Sequence, residues 1–177
     1  MDIILSSISQ GLLWSVMAIG VYLTFRILDI ADMTAEGSYP LGAAVCATGI
    51  VNGLNPLLAT FLAMIAGMGA GLISGLLHTK LKIPALLTGI VTLTGLYSIN
   101  LKILGKANVA LLKQETLVTQ LQDFGLAKTN AVLVIGIIFV LAVVGVLTLL
   151  LNTQIGLAIR STGDNIPMSE ANGFNVV

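Results

Sequence analysis

Three carboxylates stand close together where the chain leaves its first long apolar run: Asp29, Asp32 and Glu36, in the stretch RILDIADMTAEGSYPLGA over residues 26–43. Arg26 precedes them. Carboxylates at membrane depth are rare and mark ion or solute paths by default. Two readings are open here. The three can sit in an interfacial loop, solvated or paired with Arg26, or Asp32, Thr34 and Glu36 can border a translocation path. The order Asp32-x-Thr34-x-Glu36-Gly37-Ser38 also has the grammar of a capped helix start, which is compatible with either.

A second polar set interrupts the apolar run 83–104. Thr88, Thr92, Thr94, Tyr97, Ser98 and Asn100 make it unusually polar for a span. Thr88, Thr92 and Asn100 fall near one stripe of a helix. Side chains of this kind hydrogen-bond to neighbouring helices or line a solute path. Gly67, Gly71 and Gly75 share one helical face at spacing four, which lets another backbone approach closely, within the chain or across a dimer. His78 reads as an interfacial residue.

No catalytic signature accompanies these groups: there is no Walker A loop, no HExxH and no nucleophile elbow. The sequence therefore offers no catalytic residue, no metal ligand set and no cofactor motif. Cys46 is the only cysteine, so neither an intrachain disulfide nor a cysteine-cluster metal site can form. Eight basic and eight acidic residues cancel, which leaves no nucleic-acid footprint.

The elements that must position these residues are membrane helices. Of 177 residues, 56% are hydrophobic and 9% are charged, against about 25% charged in soluble domains. Mean hydropathy is +1.03. A bilayer-spanning helix needs about 20 apolar residues. About five apolar segments stand out, at 3–25, 41–51, 57–77, 83–104 and 130–151. The fold class is thus all-α and polytopic, with the lipid bilayer as its surroundings. The first segment lacks a basic n-region, which argues for a retained span over a cleaved signal. Segment 41–51 is too short to cross alone. With Gly37 and Pro40 as breakers, it either extends back through Ser38 or is half of a broken or re-entrant helix. Residues 52–56 (NGLNP) form a turn, 78–82 (HTKLK) a short basic loop, and 115–124 a weakly amphipathic stretch.

Loop charges give conflicting votes on sidedness. Lys80 and Lys82 lie in one loop; Lys106, Lys113 and Lys128 lie in the next, one span away. Short loops count most, which favours 78–82 as cytoplasmic and places the tail, 152–177, on the same side. The N-terminus then lies outside if 38–51 crosses completely.

That tail is polar and punctuated by glycine. Gly156-x3-Arg160-x2-Gly163-Asp164-Asn165 precedes a short helix predicted over 167–172. Asp164 or Asn165 can cap it, Pro167 suits its first turn, and Gly173 can end it. The segment resembles the cytoplasmic coupling loop of ABC importer permeases of the branched-chain amino acid and ribose permease superfamily. Residues 25–45 (FRILDIADMTAEGSYPLGAAV) and 76–112 (LLHTKLKIPALLTGIVTLTGLYSINLKILGKANVALL) resemble two blocks of one subgroup. Those are the permease subunits that accompany tryptophan/tyrosine-type substrate-binding proteins.

The resemblance implies an inner- or plasma-membrane, multi-pass permease subunit paired as a homodimer. It implies two partners, an ABC ATPase subunit and an extracytoplasmic substrate-binding protein, and an amino acid as substrate, aromatic ones favoured. Arg160, Gly163, Asp164, Asn165, Glu170 and Gly173 would form the ATPase coupling loop, at about 156–173. Family permeases continue with further spans beyond this loop, so 1–177 would be the N-terminal portion of a single transmembrane permease domain. The competing reading is a non-ABC channel or scaffold subunit that assembles through the glycine-faced helix.

Overall fold

The computed structural model of the chain describes residues 2–106, 108–111, 114–122 and 127–173. Lys113 and the end of the amphipathic stretch at 123–124 lie outside them. The described residues form α1 (Asp2–Tyr22), which continues into a π-helical turn (Leu23–Ile27), then α2 (Thr34–Val51), α3 (Pro56–Leu81), α4 (Ala85–Leu104), α5 (Leu117–Gln122), α6 (Lys128–Leu151), α7 (Gln154–Asp164) and α8 (Ile166–Ala171). Among the described residues there is no strand. Four helices among the described residues are long and apolar enough to cross a membrane: Ile3–Ile27, Pro56–Leu81, Ala85–Leu104 and Lys128–Leu151. The chain is a multi-pass membrane protein. It divides into two compact units, Met33–Val132 and the pair of segments Met1–Asp32 and Leu133–Val177.

In the unit Met33–Val132, α2 packs against both α3 and α4. It runs antiparallel to α3, because Thr34 meets Ser74 while Gly49 meets Ala59. It runs parallel to α4, because Gly37 meets Leu93 while the Thr48 hydroxyl donates to the Ile103 carbonyl at 3.4 Å. The interior is built from small residues. A Cβ on Gly49 would sit 3.3 Å from the Ala59 Cβ, and one on Gly37 would sit 3.1 Å from the Leu93 Cα. Leu41, Ala70 and Leu96 form the buried centre. Bulky side chains such as Leu57, Phe61, Met64 and Met68 point outward instead. That distribution suits a lipid surround, where close backbone approach replaces hydrophobic burial as the source of attraction.

Local chemistry explains the helix ends. The α2–α3 turn needs a residue at positive φ, and Gly53 supplies it at 84°. The Asn55 side chain then accepts from the Leu57 amide at 3.0 Å, capping α3 behind Pro56. Gly105, at φ 61°, closes α4.

Three sequence expectations change. Of the two readings of segment 41–51, the structure has the extension back through Ser38, to Thr34, so Gly37 and Pro40, read as breakers, lie inside a continuous α2. The flanking helices hold α2 in line, although Pro40 deprives the Glu36 carbonyl of its usual amide donor. Residues 78–81 are the last turn of α3, not a loop, and Lys82 follows in the left-handed region. Cationic side chains at a helix C-terminus complement its dipole, so a basic run need not end the helix. Thirdly, α2 begins without a side-chain cap on its Met33 N-cap. The Thr34 hydroxyl bonds Ser74 instead, at 2.7 Å.

In the other unit, α1 widens at its end. The Leu28 amide bonds the Leu23 carbonyl at 3.1 Å, five residues back, and Asp29 follows at φ 53°. Gly136 lets α6 approach α1, its Cβ position lying 3.2 Å from the Leu12 Cβ. Where a single short helix was expected in the tail, there are two. The Thr153 side chain caps α7 by accepting from the Gly156 amide at 3.3 Å. The Asn165 side chain caps α8 by accepting from the Met168 amide at 3.1 Å.

Candidate functional site

The polar stripe of α4 faces inward. Thr88, Thr92 and Asn100 are all buried, together with Gly89 and Leu96, which complete the same face. The Thr88 hydroxyl points to the Ile83 carbonyl at 3.5 Å, and His78 Nδ1 lies 2.7 Å from that same carbonyl. Thr92 Oγ1 and Asn100 Oδ1 have no hydrogen-bond partner. An unpaired buried polar atom costs about 1–3 kcal/mol, so a stripe with two of them is poorly explained as helix packing alone.

Asn100 opens onto a pocket of about 310 Å³. From α2 come Glu36, Gly37 and Pro40; from α4 come Leu93, Thr94, Tyr97 and Asn100. The pocket lies beside the point where the two helices almost touch, at Gly37 and Leu93. Of the six expected pathway residues, the structure brings Glu36 and Asn100 together here. Thr34 is buried against Ser74, Asp32 is half-buried just before α2, and Thr88 and Thr92 lie on the buried stripe outside the lining. Sequence reading passed over Pro40 as a breaker. Its spacing of four from Glu36 was the signal that both belong to one helical face.

Glu36 lies in the first turn of α2 and not in a loop. It precedes Gly37, whose neighbour Leu93 is the ninth of the twenty residues of α4. The Glu36 side chain is exposed. Among the described residues no group of three or more potential metal ligands occurs.

The glycine stripe of α3 is placed differently from the buried face. Ala59, Ala70 and Ser74 are buried, whereas Gly67, Gly71 and Gly75 have no atom within 4 Å of a Cβ position. Close packing between α2 and its neighbours α3 and α4 is carried by Gly37 and Gly49 of α2.

The tail forms a second candidate surface. A Cβ on Gly156 would overlap the Leu150 carbonyl and the Leu151 backbone, so glycine alone lets α7 fold back against the end of α6. A Cβ on Gly163 would overlap the Ile27 carbonyl oxygen, so α7 rests on the π-helical turn of α1. Arg160, Asp164 and Glu170 are exposed. Ile155, Leu157, Ile166 and Met168 are exposed beside them. Gly173, at φ 85°, follows the last turn of α8. The tail thus presents a mixed apolar and charged surface on two short helices.

Comparison with known proteins gives these features a family. The family described as "Branched-chain amino acid transport system / permease component" matches residues 3–177. A protein named "Tyrosine transport system permease protein" from Clostridioides difficile (strain R20291) is 40% identical over 173 residues, covering 98% of this chain and 56% of that protein. An uncharacterised protein of Rickettsia prowazekii (strain Madrid E) is 34% identical over 165 residues, covering 93% of this chain and 56% of its own length. The chain spans about half the length of the curated relatives it matches. No solved structure gives a significant match. With a match running from residue 3 to residue 177, this chain belongs to the family described as "Branched-chain amino acid transport system / permease component".

Proposed function

We propose that these residues are the N-terminal portion of an ABC importer permease domain in the inner or plasma membrane, that the permease moves an amino acid, and that aromatic amino acids are its favoured class. It works as a homodimer with an ABC ATPase subunit and an extracytoplasmic binding protein. The observation that carries this reading is the α7–α8 surface. It follows the last described span directly, exposes Arg160, Asp164 and Glu170, and rests through Gly163 on the end of α1. A soluble ATPase gripping α7 and α8 would therefore pull on α1 through a backbone-to-backbone contact. The named C. difficile relative supports the substrate class.

The test is co-purification. In the full-length permease, deletion of 160–173 or the Glu170→Lys change is expected to abolish or sharply reduce recovery of the ATPase subunit. Unchanged recovery after the deletion would remove the coupling role from the tail.

A further inference from the structure

The pocket between α2 and α4 is rich in acceptors and empty of cations. Its lining includes one carboxylate, Glu36, and no lysine, arginine or histidine. Among the described residues no basic side chain pairs with Glu36. The Glu36 side chain is exposed in the first turn of α2, so its carboxylate is open to a cationic partner entering the pocket. Its neighbours continue the pattern. Asn100 is 7% exposed and its amide oxygen has no hydrogen-bond partner. The Thr94 hydroxyl donates to the Ile90 carbonyl at 2.8 Å, which leaves only its lone pairs free. Pro40, lacking an N–H, leaves the Glu36 main-chain carbonyl without its usual donor. Tyr97 adds an aromatic ring, a favourable neighbour for a cation.

We propose that this pocket is a binding site for a primary ammonium group. Such a group carries one charge and three donors. Glu36 neutralises the charge and accepts hydrogen bonds, and the unpaired Asn100 oxygen, buried at the pocket wall, becomes a further acceptor when its side chain turns inward. Leu93, Pro40 and Tyr97 supply apolar contact for the carbon skeleton. The volume of about 310 Å³ lies at the lower end of ligand pockets, which suits one small molecule or a headgroup. The ammonium is that of an amino-acid solute or of an aminophospholipid. In the first case the proposal rests on the transport reading and names the part of the solute that the permease itself recognises.

The experiment uses the full-length permease with its ATPase, without binding protein, in nanodiscs of phosphatidylcholine and phosphatidylglycerol. Radiolabelled L-tyrosine is the probe. Tyramine is expected to compete and 3-(4-hydroxyphenyl)propionate, which lacks the amine, is not. Glu36→Gln should weaken tyrosine binding at least tenfold. Asn100→Leu should weaken it at least threefold while melting no lower than the parent, because it removes an unpaired buried amide. In that variant a purely structural asparagine would lower the melting temperature and spare binding. A second arm measures phosphatidylethanolamine retained through detergent purification. Retention by the parent and loss from Glu36→Gln, without tyrosine binding, assigns the ammonium to lipid. Equal tyrosine binding and equal lipid retention in parent and Glu36→Gln overturns the site. ATP-driven tyrosine uptake by the parent in proteoliposomes tests the transport reading separately, so the site can fail while the permease stands.

Discussion

Gly163 and Gly145 are chemically identical and occupy opposite circumstances. At Gly163 a methyl would overlap the Ile27 carbonyl; at Gly145 nothing lies within 4 Å. Gly163→Ala should therefore destabilise by about 1–3 kcal/mol through overpacking. Gly145→Ala should stabilise by about 0.4–1 kcal/mol, since alanine restricts the unfolded chain and favours helix. Thermal unfolding in detergent reads both, and equal signs would remove the close contact at Gly163. The buried Thr34–Ser74 bond, 2.7 Å long, gives a second prediction at this scale. A double-mutant cycle with Thr34→Val and Ser74→Ala should yield a coupling of about 0.6 kcal/mol and not above about 1.7, the range for interhelical bonds in membranes. A coupling of zero would mean that both hydroxyls are equally satisfied elsewhere. Residues of this kind were partly legible. Thr88, Thr92 and Asn100 declare themselves because polar groups at helical spacing contrast with an apolar run. Gly163 does not, because the carbonyl it admits lies 136 positions earlier at Ile27, and no local pattern records that approach.

Among the elements, α2 and α7 were the hardest to read. A proline inside an 18-residue helix looks like a boundary because an isolated helix loses about 3 kcal/mol there. Packing on both sides overrules that preference. Pro40→Ala restores a donor for the Glu36 carbonyl, so it should raise the melting temperature. It should also reshape the pocket and reduce tyrosine binding by the full-length permease. Higher stability with unaltered binding would separate Pro40 from the pocket's role. The basic end of α3 was misplaced for a related reason, since charge content suggested a loop where a helix terminus welcomes cations. The α8 cap shows the converse. Asn165, followed by proline within the first turn, is a local signal and was visible as such. Helix α7 also has a local cap, Thr153, but its place depends on Gly156 fitting against Leu150 and Leu151, which no cap residue signals.

For the whole molecule, the apolar segments and the family were legible because span length and block similarity are properties of long stretches. Sidedness was not, because lysines flank both ends of α4. Span counting settles an expectation that labelling can check. Single cysteines at Lys82 and Arg160, in a Cys46→Ser background of the full-length protein, should react with an impermeant maleimide from the same side. One at Lys106 should react from the other. A different pattern would mean that a described span does not cross. The hairpin of α2 and α3 carries a further consequence, for biogenesis. Helix α2 is not one of the four segments apolar enough to cross by themselves, yet it is held between two that are. During synthesis it is therefore expected to insert together with α3, which covers Gly42 and Gly49; α2 expressed without α3 should fail to insert in glycosylation mapping, and independent insertion would sink the idea. The four residues Asn52–Asn55 set how soon after α2 its chaperone arrives.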